Sequence, residues 1–183
     1  MTSSLSENAL PAFHIAIGFH EGANRCGEAR KYGSGSEFNM SVPPVIVCAA
    51  FAAEMYMKAL MYRVNNTKRS HDLSQSLLKR MAADDVNVVA AFYSEMRHAD
   101  KNQMISDVSK FTKAFEDWRY VHEKDAGQID LDNLFAFVIS LYKTCGTVEK
   151  SWTNADLDNR LTKAPVSGTI LYDKLSLIWK PKF

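Results

Sequence analysis

The chain has 183 residues, 46% of them hydrophobic and 23% charged, the balance of a soluble globular protein with one domain or one domain and an appended segment. A chain of this length buries a core without disulfides or a structural metal. Twenty-two Lys and Arg against twenty-one Asp and Glu leave a formal charge of +1, which excludes a globally basic nucleic-acid coat and an acidic tail and leaves room only for a local charged patch.

In chain order, helical spacing of apolar residues dominates and strand-like alternation is scarce. A first helix is predicted from about Glu7 to Tyr32, with Leu10, Phe13, Ala16 and Ile17 on one stripe and Gly18, Gly22 and Gly27 weakening its far end. A Gly/Ser-rich loop from Gly33 to Val42 ends in Pro43-Pro44, and proline suits the first turn of a helix, so the next helix begins there. That helix, from about Pro44 to Arg63, is apolar nearly all round, and such a helix is buried on most sides. Ala49, Ala52, Ala53 and Met57 make it too apolar for one small bundle to cover, which predicts a homodimer. Glu54 and Lys58 form an i,i+4 pair in the favourable order, marking its one open edge or a polar contact.

The run Asn65 to His71 breaks the pattern. Asp72 with Gln75 resembles a capping box opening a short helix through Leu73, Leu77 and Met81. Asp84-Asp85 caps the next, carrying Val86, Val89, Phe92, Tyr93 and Met96, and His98 to Gln103 is a polar break. A long helix is predicted from Met104 to Glu123, with Ile105, Val108, Phe111, Phe115, Trp118 and His122 on one stripe, ended by Asp125-Ala-Gly127. The last long helix starts near Asp130 or Asp132 and shows a regular three-four stripe from Leu131 to Val148. After Trp152 come Pro165, Gly168, Pro181 and a short β-prone piece, Gly168 to Tyr172. The fold expected is an all-α up-and-down bundle of five to six helices over residues 1–152, with an irregular C-terminal extension, 153–183, packed on the bundle or on a partner.

Three cysteines, Cys26, Cys48 and Cys145, lie far apart among apolar residues, which argues against a disulfide framework or a zinc site. The N-terminus lacks a basic region followed by an apolar run, and the uncharged part of Val45 to Tyr62 is too short to span a bilayer. The expectation is a cytoplasmic, reduced protein without a membrane span. His14 and His20 are six apart and share no helix face, and no group of His, Cys and carboxylates has ligand spacing, so neither a metal nor another cofactor is expected.

Two constellations are candidates for chemistry. Arg119 and His122 are i,i+3 neighbours; a His that moves a proton from a 2′-hydroxyl beside an Arg that stabilises the phosphorane would make a metal-independent ribonuclease pair. The same His at the end of an apolar stripe also fits simple packing and capping, and Arg119 also fits an ion pair with Glu123. The second candidate is a basic segment: from position 63 to 80 there are five Lys/Arg (Arg63, Lys68, Arg69, Lys79, Arg80) and one acid, Asp72. A basic loop feeding a helix N-terminus suits phosphate, and Lys68, Arg69 and His71 are the residues placed there; a solvated loop fits the composition equally.

Three segments in order resemble HEPN domains (higher eukaryotes and prokaryotes nucleotide-binding). Pro43-Pro44 leading into Ala50 to Leu60, with Glu54 and Lys58, resembles their long helix. Ser70-His71-Asp72-Leu73 followed by Leu77-Leu78 resembles their "G-H-D-L…L" step. Phe115, Trp118, Arg119, Tyr120 and Glu123 are similar to the "W-R-Y-x-x-E" segment of one HEPN-like group. The resemblance spans roughly Pro43 to Glu149 and leaves out the extension. It implies a helical bundle, commonly a homodimer, tied to RNA or nucleotide handling and often to defence or toxin–antitoxin systems. Ribonuclease members carry a His four to six residues after an Arg, whereas only two residues separate Arg119 and His122. The resemblance therefore implies a non-catalytic module binding RNA or nucleotide, with Glu54, Lys58, Lys68, Arg69, His71 and Tyr120 as its binding residues. The rivals are the Arg119/His122 ribonuclease and a structural interaction module in which the Trp118 segment docks a partner chain.

Overall fold

The computed structural model describes residues 5–27, 30–31, 38–39, 42–66, 69–114, 118, 126–165, 167–173 and 176–180. After a 3-10 turn at Leu5–Asn8, helix α1 runs Ala9–Gly27. Its buried face is Ala9, Ala12, Phe13, Ala16, His20, Ala23 and Gly27, a three-four spacing built mostly of small residues. Leu10, expected on that stripe, is instead 43% exposed, and Ile15 46%. The alanine face rather than the leucine face turns inward because it lets α1 lie close against the next helix. That helix, α2, runs Val42–Arg63 with Pro43 and Pro44 in its first turn, where a missing N–H costs nothing. Between them, strands β1 (Arg30–Lys31) and β2 (Phe38–Asn39) pair antiparallel in a two-residue ladder flanking the Gly/Ser segment.

The α1–α2 pair is the most extensive packing in the molecule. The contacts Phe13–Tyr56, Phe19–Phe51 and Gly22–Cys48 run in opposite senses along the two helices, so the pair is antiparallel. Ala49, Ala52, Ala53 and Met57 are fully buried within one chain. These four residues are covered within one chain, while Val47, Cys48, Phe51, Met55 and Tyr62 of α2 are half-buried. By length and composition Pro44–Arg63 could cross a bilayer, with mean hydropathy 1.5, and 67% of that window is buried inside the protein.

After α2 the chain makes a single wide turn at Leu73–Leu77 and a 3-10 turn at Leu78–Arg80 in place of the short helix expected there. Helix α3 (Ala83–Arg97) follows with Ala82 as its N-cap residue. Asp84 and Asp85 sit in its first turn, not at the cap, and Asp85 is buried against Arg63. His98, with φ 53°, closes α3 in the left-handed region and donates its N–H to Ser94. Helix α4 (Lys101–Lys110) is capped by Asp100, which accepts from the Gln103 N–H at 2.8 Å.

The long helix expected from Met104 to Glu123 is interrupted. Residues 111–113 form a turn, and Ala114 and Trp118 are helical again. At the break Phe111 leaves helical backbone, with φ −122° and ψ 21°, and the Thr112 carbonyl next to it accepts the Leu73 N–H at 3.0 Å. Phe111 and Trp118 are buried, as their common stripe suggests. Helix α5 (Leu131–Val148) starts at Asp130, which caps the Asn133 N–H at 3.2 Å, and it is buried along nearly its whole length.

The extension carries more regular structure than its Pro and Gly content suggests, and it folds onto the bundle. Helix α6 (Ala155–Leu161) is capped by Asn154 and held to α1: the Asn24 amide donates to the Arg160 carbonyl at 3.0 Å, and Arg160 pairs with Glu21. Asp158 accepts from the buried Tyr142 hydroxyl of α5 at 2.8 Å. The β-prone piece becomes strand β4 (Thr169–Asp173), which pairs antiparallel with β3 (Ala126–Asp130) on one side and β5 (Ser176–Lys180) on the other. Gly168, at φ 121°, makes the corner from which its carbonyl accepts the Leu131 N–H and its own N–H reaches Asp132. The architecture is an all-α helical bundle with this small sheet at its margin.

Gly146 of α5 gives a direct test of how the extension docks. A Cβ there would meet Thr153 Oγ1 at 2.7 Å and Cγ2 at 2.9 Å. Gly146→Ala is expected to destabilise the fold by about 1–3 kcal/mol in chemical denaturation, despite the better helix propensity of Ala. In a Thr153→Ala background most of that loss disappears; strictly additive losses would show that the two residues do not touch.

Candidate functional site

Apolar helix α2 carries one acid, Glu54, and it is only 1% exposed. A carboxylate taken out of water costs several kcal/mol unless both oxygens are engaged. Here both are. Lys58, one turn on, donates from Nζ to Oε1 at 2.5 Å. His71, from the segment after α2, places Nδ1 2.7 Å from Oε2. The His71 side chain is 44% exposed, so the imidazole lies between the buried carboxylate and solvent. The sequence pattern shows the Glu54–Lys58 pair; the third member comes from the tertiary fold.

Four hydrogen bonds fix the segment that carries His71. Asp72 Oδ1 accepts from the Gln75 N–H at 2.7 Å and from the Thr112 hydroxyl at 2.6 Å. The Asp72 N–H donates to Ser70 Oγ at 3.1 Å, and the Ser74 N–H to Thr112 Oγ1 at 2.8 Å. Asp72 is thus the cap residue expected. The reciprocal half of a capping box is absent, because Gln75 turns away to accept from Lys79 and Ser70 takes the cap N–H instead. Burial pushes the Asp72 carboxyl up, but the Thr112 hydroxyl and the N–H groups of Gln75, Ser74 and Ser76 outweigh it and hold the group below the usual carboxylate range. Thr112 was not legible as a site residue, since nothing in its local sequence points at a segment forty residues away.

The basic segment is thinned by the fold. Arg63 Nη2 lies 3.1 Å from both oxygens of buried Asp85, so its charge is spent inside the structure. Arg69, Lys79 and Arg80 are exposed. Lys68, Arg119, Tyr120 and His122 lie outside the described residues, and the Arg119/His122 pair with them. Trp118 is buried, and the rest of its segment, 115–117 and 119–125, lies outside the described residues. Among the described residues no group of three or more His, Cys, Asp or Glu side chains converges. A cleft of about 250 Å³ between α4 and β3 is lined by Asp107, Lys110, Gln128 and Asn133. Its buried carboxylate is already engaged by Tyr93, Gln103 and Lys110.

A second polar cluster is closed. His20 of α1 is fully buried, with Nδ1 3.2 Å from the Tyr56 hydroxyl and its ring edge-on to Tyr56 and Tyr142. Among the described residues no protein group meets its Nε2. Desolvation lowers its pKa from 6.5 to about 3.

No protein-family model, curated protein or solved structure matches the chain.

The His20 environment generates a pH dependence. Folded His20 stays neutral down to about pH 3 while the unfolded residue takes its proton near 6.5. Between those values the unfolded chain holds more protons, so stability rises with pH across the window and is lost as pH falls through it, by on the order of 4 kcal/mol. Denaturation of a His20→Phe variant at a series of pH values is expected to show a flatter acid limb than the parent, whatever its baseline stability.

Proposed function

We propose that this chain is a HEPN-like helical module of the cytoplasm that binds RNA or a nucleotide through phosphate, without a metal or other cofactor, in the setting of a defence or toxin–antitoxin system. The observation that carries the reading is the gathering of Lys58 and partly exposed His71 on buried Glu54, with exposed Arg69 two residues before His71. Cations and ring N–H groups held in fixed positions beside a turn N-terminus are what an anionic oxygen needs. The order Glu54, Lys58, His71, Asp72, Leu73 is also the order of the HEPN-like segments, and the first three of these residues meet in space. The Lys58 and Glu54 charges offset each other, so the attraction comes from Arg69, from Lys68 next to it in sequence and from any proton on His71. Binding of this kind is modest and salt-sensitive.

Titration of a mixed-sequence single-stranded RNA at two salt concentrations tests it. The parent is expected to bind at low salt. A Lys68→Ala/Arg69→Ala variant is expected to bind more weakly, with its log–log salt slope reduced by about 1.4 units if both residues contact phosphates. Unchanged affinity and slope would place the contact elsewhere, and no binding by the parent would favour a structural interaction module.

The reading includes a homodimer, as the resemblance implies. Sedimentation at micromolar concentration is expected to give twice the chain mass; a species of one chain would remove the dimer from the reading.

A further inference from the structure

We infer that Cys26 of α1 and Cys48 of α2 are a site of reversible oxidation, closed to a disulfide by hydrogen peroxide, and that the bond clamps the two helices together. The inference does not rest on the RNA-binding reading and uses none of its residues.

Far apart in the sequence, the two cysteines are brought to neighbouring turns by the antiparallel α1–α2 pair. Phe19 meets Phe51 with ring centroids 4.5 Å apart. Further along α1, a Cβ on Gly22 would lie 3.7 Å from Cys48 Sγ. Cys26 follows Gly22 by four residues, one turn on along the same face, and Cβ positions at that spacing are about 5–6 Å apart. Side chains on a helix lean toward its N-terminus. In an antiparallel pair that sends Cys48 toward the end of α1 and Cys26 back toward Gly22, so the two side chains converge. Among the described residues that sulfur is the nearest atom to the place where a Gly22 side chain would sit, which leaves room for the bond to form. The electrostatics agree with this placement. Burial pushes the Cys48 thiol up, and the Cys26 thiol pushes it further.

Access separates this pair from the third cysteine. Cys26 and Cys48 are half-buried, which admits an oxidant of the size of hydrogen peroxide, while Cys145 is fully buried in α5. The bond would tie the last turn of α1 to α2 and close the stretch of chain that carries β1 and β2. A link of this kind stabilises mainly by restricting the unfolded chain.

The chemistry balances with hydrogen peroxide as the oxidant. Cys26 gives up its proton and its sulfur attacks one peroxide oxygen. The O–O bond breaks, and the departing hydroxide takes that proton and leaves as water, with Cys26 now a sulfenic acid. Cys48, held as a thiol by burial, then loses its proton as its sulfur attacks the Cys26 sulfur. The S–O bond breaks, and the second hydroxide takes the Cys48 proton. Two thiols and one peroxide become one disulfide and two waters, and a dithiol reductant reverses the bond by exchange.

The experiment treats the full chain, first reduced and freed of reductant, with hydrogen peroxide. The intact mass is expected to fall by about 2 Da as the disulfide forms. A tryptic map is expected to join the peptide 26–30 to the peptide 32–58, and dithiothreitol to separate them. The melting temperature of the oxidised chain is expected to rise by roughly 5–10 °C and to return on reduction. Cys26→Ser and Cys48→Ser are each expected to show neither the mass loss nor the shift, with circular dichroism checking that they are folded. The peptide map of the parent decides the pairing even where a variant does not fold. Oxygen gained at Cys26 without a cross-link, a cross-link between two chains or to Cys145, or a linked chain that melts no higher than the reduced one would overturn the inference.

Discussion

A carboxylate in the middle of the most apolar helix sets the terms for much of this molecule. Glu54 cannot stay charged in that position without partners for both oxygens. Lys58 is available from the same helix, one turn away. The second partner has to come from elsewhere in the chain, and the structure brings it in with the segment after α2, which turns back so that His71 reaches Oε2. Once His71 is there, Asp72 has to be anchored; Thr112 does it, and the Thr112 carbonyl then accepts from Leu73. That last bond lies where the helix is interrupted between Lys110 and Ala114. A polar residue on α2 and a helix break some sixty residues later belong to one network of hydrogen bonds.

The helical elements were legible wherever a local signal existed. Pro43-Pro44 at a helix start, Asp130 as a cap and the dense stripe from Leu131 to Val148 all act within one or two turns, and such effects survive in the fold. Errors came where a distant group competed. The apolar pattern from Ile105 to Trp118 continues across the break at 111–113, because Phe111 and Trp118 are buried on either side of it, so periodicity alone carries no trace of the interruption. Leu10 was misplaced for a related reason. The largest side chain of a stripe is a poor guide when the neighbouring helix approaches through alanines, since what decides is how close two backbones can come.

The candidate site was half legible. Glu54 and Lys58 are one turn apart, and His71 sits in a segment with a recognisable order of residues, so each member carries a signal. What joins them, a single carboxylate shared between helix and loop, is tertiary. The thinning of the basic segment is tertiary as well: Arg63 counts toward a local charge excess until Asp85 of α3 is found beneath it. Counting charges along a chain overstates a patch whenever one of them is satisfied from another element.

Glu54 and Tyr56 lie two residues apart on α2, about 200° around the helix, and face two polar clusters of opposite character. On one side Tyr56 meets His20 under a roof of aromatic rings, where burial keeps the imidazole neutral far below its ordinary range. A histidine there can stabilise or destabilise the fold with pH, but no substrate can touch it. On the other side Glu54 meets His71 at the surface. The two histidines are each held by one hydrogen bond to α2, so bonding alone does not separate them. Access does, together with the partner's chemistry. A phenol hydroxyl cannot stabilise an imidazolium as a carboxylate can, and the His20 ring is fully buried, edge-on to Tyr56 and Tyr142. The face of α2 that carries Glu54 therefore meets a solvent-facing imidazole, and the face that carries Tyr56 is where the bundle is held together.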